Sequence, residues 1–176
     1  MKKVLFLLFA LMAVMTVQAQ SICGSWQLMQ PFVQNDGDGY VMITYIHTFN
    51  EDGTFFSDAD ITYSSKPAQT KAREVALSGT VRGTYTLEGD QLKMYANVNT
   101  LNLDLVSLSE NGKVIYDSKL KSNLKSMLNK EAKAKLAEQI NNETYTVNVT
   151  AGGQMLELTK KDGTVVRLMR MALMRH

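Results

Sequence analysis

Residues 75–94 read VALSGTVRGTYTLEGDQLKM, and this stretch decides the fold. Val75, Leu77, Val81, Tyr85 and Leu87 fall on one parity with Gly79 and Gly83 between them, and Leu92 and Met94 resume the pattern beyond Glu88-Gly89. Apolar residues alternating with polar ones mark a strand with one buried and one wet face. Glycines on the apolar parity let a long strand coil, as closing a barrel requires. The Glu-Gly pair supplies the backbone freedom of a hairpin turn. The stretch therefore predicts two curved antiparallel strands.

The same period extends in both directions. Val41, Ile43, Tyr45, His47 and Phe49 share one face of an earlier strand, and Phe55, Ser57, Ala59, Ile61 and Tyr63 share one face of the next, with Asp58 and Asp60 pointing to water. Residues 101–108 give a further run, and three more follow at 144–150, 154–160 and 164–171. Asp52-Gly53, Asn111-Gly112, Gly152-Gly153 and Asp162-Gly163 punctuate them. Between residues 118 and 140 the period changes. Leu120, Leu124, Leu128, Leu136 and Ile140 recur at multiples of four, with Ala132 in register and lysines elsewhere, predicting an amphipathic helix of about six turns. The expected fold is mainly β: an antiparallel up-and-down barrel of about eight or nine strands, first strand paired with last to remove exposed edges, and one helix packed outside.

The front end carries an address. Lys2 and Lys3 precede an apolar stretch over residues 4–14, and Val17-Gln18-Ala19 supplies small residues at a signal-peptidase site. Residues 1–19 are expected to be a cleaved signal peptide, and residues 20–176 a single domain, periplasmic or extracellular. The apolar run falls short of the roughly 20 residues a membrane crossing needs, and no later run is long enough, so no transmembrane segment is expected. Ile22 stands before Cys23 where lipoprotein processing needs a small residue, which argues against a lipid anchor. Taking Lys2 and Lys3 from the 19 basic residues leaves 17, equal to the 17 acidic ones. A neutral domain lacks the clustered basic face of a nucleic-acid partner.

Gly24-Ser25-Trp26 at the start of the first strand resembles the Gly-x-Trp opening of lipocalins and related calycins. The Gly-Thr-Tyr hairpin texture over residues 83–94 is similar to small lipocalin-like domains exported by Bacteroidota-type bacteria. The resemblance implies that Trp26 plugs the closed end of the barrel and that an arginine of the last strand, Arg167 or Arg170, packs across it. The chain departs from classical lipocalins in placing three strands after its helix.

Catalytic constellations are sparse. Of the two histidines, His176 is terminal, so nucleophilic chemistry would depend on His47, whose face predicts a buried, hydrogen-bonded ring. No histidine cluster offers a metal site, and Asn35, Asp36 and Asp38 lack the distal glutamate of a calcium loop and read as a solvated turn. No cofactor is expected. Tyr45, His47, Phe55, Tyr63, Tyr85 and Met94 are the candidate pocket lining, because barrels of about eight strands either fill with side chains or hold one small ligand. The leading expectation is a noncatalytic barrel that binds a small apolar or amphipathic ligand, with Tyr45 and His47 as polar contacts. The alternative is a filled barrel that docks an envelope protein through its helix or an open edge.

Overall fold

The computed structural model describes residues 22–36, 39–65, 72–141 and 143–172. The signal peptide expected over residues 1–19 lies outside the described residues, as do Gly37 and Asp38. In chain order the elements are β1 (Gly24–Leu28), β2 (Phe32–Asp36), β3 (Gly39–Phe49), β4 (Thr54–Ser65), β5 (Arg73–Glu88), β6 (Gln91–Ala96), β7 (Asn102–Glu110) and β8 (Lys113–Val114). Helix α1 (Ser118–Asn141), β9 (Thr144–Thr150), β10 (Met155–Thr159) and β11 (Val165–Arg170) follow.

Eight strands close into an antiparallel barrel in the order β1-β3-β4-β5-β6-β9-β10-β11. The seam joins β1 to β11 with Trp26 opposite Arg170 and Leu28 opposite Leu168. Every barrel strand neighbours the next barrel strand in sequence, so the ring is up-and-down, and β2 and the segment from β7 to α1 are insertions into it. The three strands after α1 complete the wall.

Strands β3, β4 and β5 are 11, 12 and 16 residues long and outrun the barrel. Their far halves form a second, open sheet of order β2-β3-β4-β5-β7-β8. Two sequence expectations are corrected here. The run at 101–108 is a strand but lies outside the ring, and the segment after Pro31 contains a strand, β2, where only a turn was expected. β2 is short and has no clear alternation, so it reads as a strand only against its partner β3. A bulge between Ala76 and Leu77 in the β5–β7 ladder leaves Val106 as an extra residue, which turns β7 away from the wall.

The tightest glycine of the barrel wall is Gly83. A Cβ there would stand 2.1 Å from the Tyr95 carbonyl oxygen and 2.6 Å from Phe55 Cε1, so only glycine lets the chain pass this close to Tyr95 and to the ring of its cross-strand neighbour Phe55. Phe55, Trp26, Phe49, Ile22, Leu92, Leu156 and Leu168 are fully buried and fill the barrel toward one end. Each such side chain contributes roughly 1.5–3 kcal/mol relative to exposure. Ile22 folds under that end, its carbonyl accepting from Trp26 Nε1 at 2.6 Å. The Arg170 guanidinium lies 4.6 Å from the Trp26 ring and donates to Cys23 O at 3.2 Å. Arg167 is on the opposite face, 2.8 Å from Glu157. Of the two arginines named above, Arg170 packs on the tryptophan.

Helix α1 starts at Asp117, whose Oδ1 accepts from Lys119 N at 2.9 Å and Leu120 N at 3.0 Å, a side-chain N-cap. The helix packs across β6 and β7. Leu124 and Leu128 are half-buried on that side, Asn129 Nδ2 donates to Leu103 O at 3.1 Å, and Lys125 pairs with Asp104. The burial of Ala132, Leu136 and Ile140 lies outside the described side chains.

Candidate functional site

The inner wall of β3 carries a ladder of rings. Tyr45 and His47 have centroids 4.5 Å apart, His47 and Phe49 6.0 Å, and Phe49 meets Tyr85 edge-on at 5.1 Å. Strand alternation produces the ladder, since positions two apart share a face. Its lower end is anchored where Tyr85 Oη donates to Asn50 O at 2.7 Å and sits 3.6 Å from Cys23 Sγ. The upper end, at Tyr45, faces the mouth from which the open sheet rises.

Three groups complete that mouth. Glu143, just before β9, accepts from Tyr145 Oη and pairs with Lys160 Nζ at 2.5 Å. Burial, followed by the nearby Glu143 charge, pushes the Tyr45 hydroxyl up to about 12. Tyr145 is raised further, by burial first and then by its hydrogen bond to Glu143. Both phenols thus stay protonated, with the Tyr145 O–H already donated to Glu143. Lys160 and Glu143 are each about one-third exposed and cancel each other's charge, so the rim is polar but locally neutral.

Below the rim, His47 Nδ1 lies 2.6 Å from Ser57 Oγ, a contact set by their direct opposition in the β3–β4 ladder. Serine next to imidazole is the geometry of an activated nucleophile. Here burial holds the imidazole down to about 4, leaving it neutral and a poor base near pH 7. Ser57 is only 7% exposed, and no carboxylate hydrogen bond orients the ring among the described residues. The pair is a satisfied polar contact in the wall.

The six candidate lining residues divide by height. Phe55 and Met94 are enclosed in the core, and Tyr85 stands at the closed end. Tyr45 and His47 line the upper barrel, while Tyr63 lies beyond the ring on the open sheet, between Val41 and Val75. That sheet continues the barrel's apolar parity in two cross-strand rows, Ile43-Ile61-Leu77-Leu105 and Val41-Tyr63-Val75-Leu108. All are half-buried except Leu108, which is buried.

Tyr145 was within reach of sequence reading, because it alternates with Val147 and Val149. Glu143 was not, since it lies outside any periodic run, and Lys160, at the end of the 154–160 run, had nothing in the sequence to pair it with Glu143. On the outer wall, a separate open groove of about 770 Å³ is lined by Thr48, Phe56, Arg82, Thr84, Tyr95 and Asn97 with neighbouring residues. There Arg82 lies 5.6 Å from the Phe56 ring. No family model and no curated protein matches this chain.

Proposed function

We propose that this is an exported, noncatalytic, lipocalin-like protein that holds a small amphipathic ligand at the barrel mouth. The ligand's polar head lies among Tyr45, Tyr145 and the Lys160–Glu143 pair, and its apolar part lies along Ile43, Ile61, Leu77 and Leu105. One observation carries the reading: the barrel is packed toward its closed end, while the same inward parity continues past the ring as an apolar wall left half-exposed. Apolar surface of this kind beside a few convergent polar groups is the usual make-up of a small-molecule site. Export is supported by the lysines, apolar run and small residues of the first 19 positions.

The test is native mass spectrometry of the protein purified from its own host, followed by denaturing extraction, alongside titration with a fluorescent fatty-acyl probe. A single stoichiometric lipid or metabolite and saturable probe binding weakened by Ile61→Glu are expected. An empty protein with no saturable binding would overturn the reading. A second reading, docking to an envelope protein, is favoured by β2, a sheet edge whose Phe32 and Val33 are both exposed.

A further inference from the structure

The outer wall around the seam has an unusual side-chain content. Met155 and Met169 are direct partners in the antiparallel β10–β11 ladder. Their neighbours Leu156 and Leu168 are fully buried, which turns both methionines outward. Met171 follows on the same side, its N–H donating to Ser25 O at 2.8 Å. Met169 is 54% exposed and Met171 39%. Met29, also exposed, follows β1 on the same face, with its N–H on Arg167 O at 3.0 Å.

Sheet exteriors are ordinarily polar or β-branched, and unbranched methionine gains little there from strand propensity or burial. What it adds is a polarizable sulfur on a flexible stem. Directly opposed residues have Cβ atoms about 4.5–5.5 Å apart, and residues two apart on a strand are separated by about 7 Å. Three flexible thioethers so spaced can converge on one ion. Thioethers are soft donors that select Cu(I) over hard cations. They also bind without releasing a proton, unlike thiol or imidazole ligands. Arg167, two residues before Met169 on this face, is paired with Glu157 at 2.8 Å, which offsets its charge toward a bound cation.

We propose that Met155, Met169 and Met171 form a surface thioether site for a soft monovalent cation, Cu(I) or its analogue Ag(I), with Met29 as an adjacent fourth donor. This site is on the outside of the barrel and independent of the mouth.

The test is titration of protein carrying 13C-methyl methionine with Ag(I), read by NMR. The Met155, Met169 and Met171 methyl signals should shift together and level off near one equivalent. Buried Met94 and exposed Met127 on α1 should stay in place. Shifts at Met127 equal to those at the seam, or no levelling through several equivalents, would overturn the proposal. In parallel, Cu(I) retention against bicinchoninate should fall at least tenfold in Met155→Leu/Met169→Leu/Met171→Leu, which keeps the apolar surface and removes the sulfurs. It should be unchanged in Cys23→Ser. Retention that survives the triple substitution, or single Met169→Leu should the triple variant not fold, would sink the site.

Discussion

Trp26 and Arg170 face each other across the seam of the barrel, backbone partners whose side chains also stack, guanidinium 4.6 Å from the indole ring. The contact joins the first strand to the last and lids the closed end. Arg170 Nε has no hydrogen-bond partner among the described residues, so the cation is held chiefly by the ring and by the Cys23 carbonyl. Replacing it with methionine, of similar length, removes a cation–π contact of about 0.5–2 kcal/mol and a charge-assisted hydrogen bond. Arg170→Met should lower stability by about 1–3 kcal/mol in urea denaturation followed through the fluorescence of Trp26. Arg167→Met, on the exposed face, should cost less than about 0.5 kcal/mol.

Gly83→Ala should destabilise by about 1–3 kcal/mol or more, the range for overpacking a filled core. The backbone at Gly83 is not in the left-handed region, so the penalty is steric and comes from the Tyr95 carbonyl oxygen at 2.1 Å and the Phe55 ring at 2.6 Å. Phe55→Leu should rescue only the ring's share of it, leaving the Tyr95 backbone clash, and a double-mutant cycle in urea measures the coupling. Purely additive effects would remove the ring from the account and leave the Tyr95 carbonyl as the whole clash.

His47 sets a pH window. Its folded-state value of about 4 lies below the 6.5 of an unperturbed histidine because burial disfavours the charged ring. The unfolded chain then binds the extra proton first as pH falls. Stability from this group is complete above about pH 6.5 and is lost progressively down to about pH 4, amounting to about 2–3 kcal/mol. His47→Gln should flatten the urea midpoint between pH 7 and 4.5. Glu157 and Asp104, held below the carboxylate range by hydrogen bonds from Arg167 and Lys125, act only at lower pH. Their contribution is present above the unfolded carboxylate value and lost beneath it.

Lys160→Met should separate binding from folding. The Lys160–Glu143 pair is about one-third exposed, so its loss should cost under about 1 kcal/mol of stability. It also leaves Glu143 as an uncompensated charge on the rim. Fatty-acyl probe affinity should fall severalfold with the thermal midpoint nearly unchanged. An unaltered affinity would remove the pair from the head-group site.

Strand alternation made most of the barrel legible, because a buried face writes period two into sequence wherever a strand is long enough. It could not say where along a strand the ring ends. Tyr45 and Tyr63 have the same parity, yet one lies inside the barrel and the other on the open sheet, a difference set by how far the β3–β4 hairpin overruns its neighbours. Nor could it bring Glu143 and Lys160 together, which meet because the start of β9 and the end of β10 reach one rim. The methionines at the seam were visible as letters only. Their grouping depends on the β10–β11 register.

The seam also has a consequence in time. The ring closes between a strand near the beginning of the described chain and the last strand, so an emerging polypeptide can build the β1–β3–β4–β5 meander but has no partner for the second edge of β1 until β11 has been released. Until then two strand edges stand open, and closure awaits the slowest kind of contact, one between distant parts of the chain. A chain with this topology completes its barrel only once its last strand is available, whichever compartment it folds in.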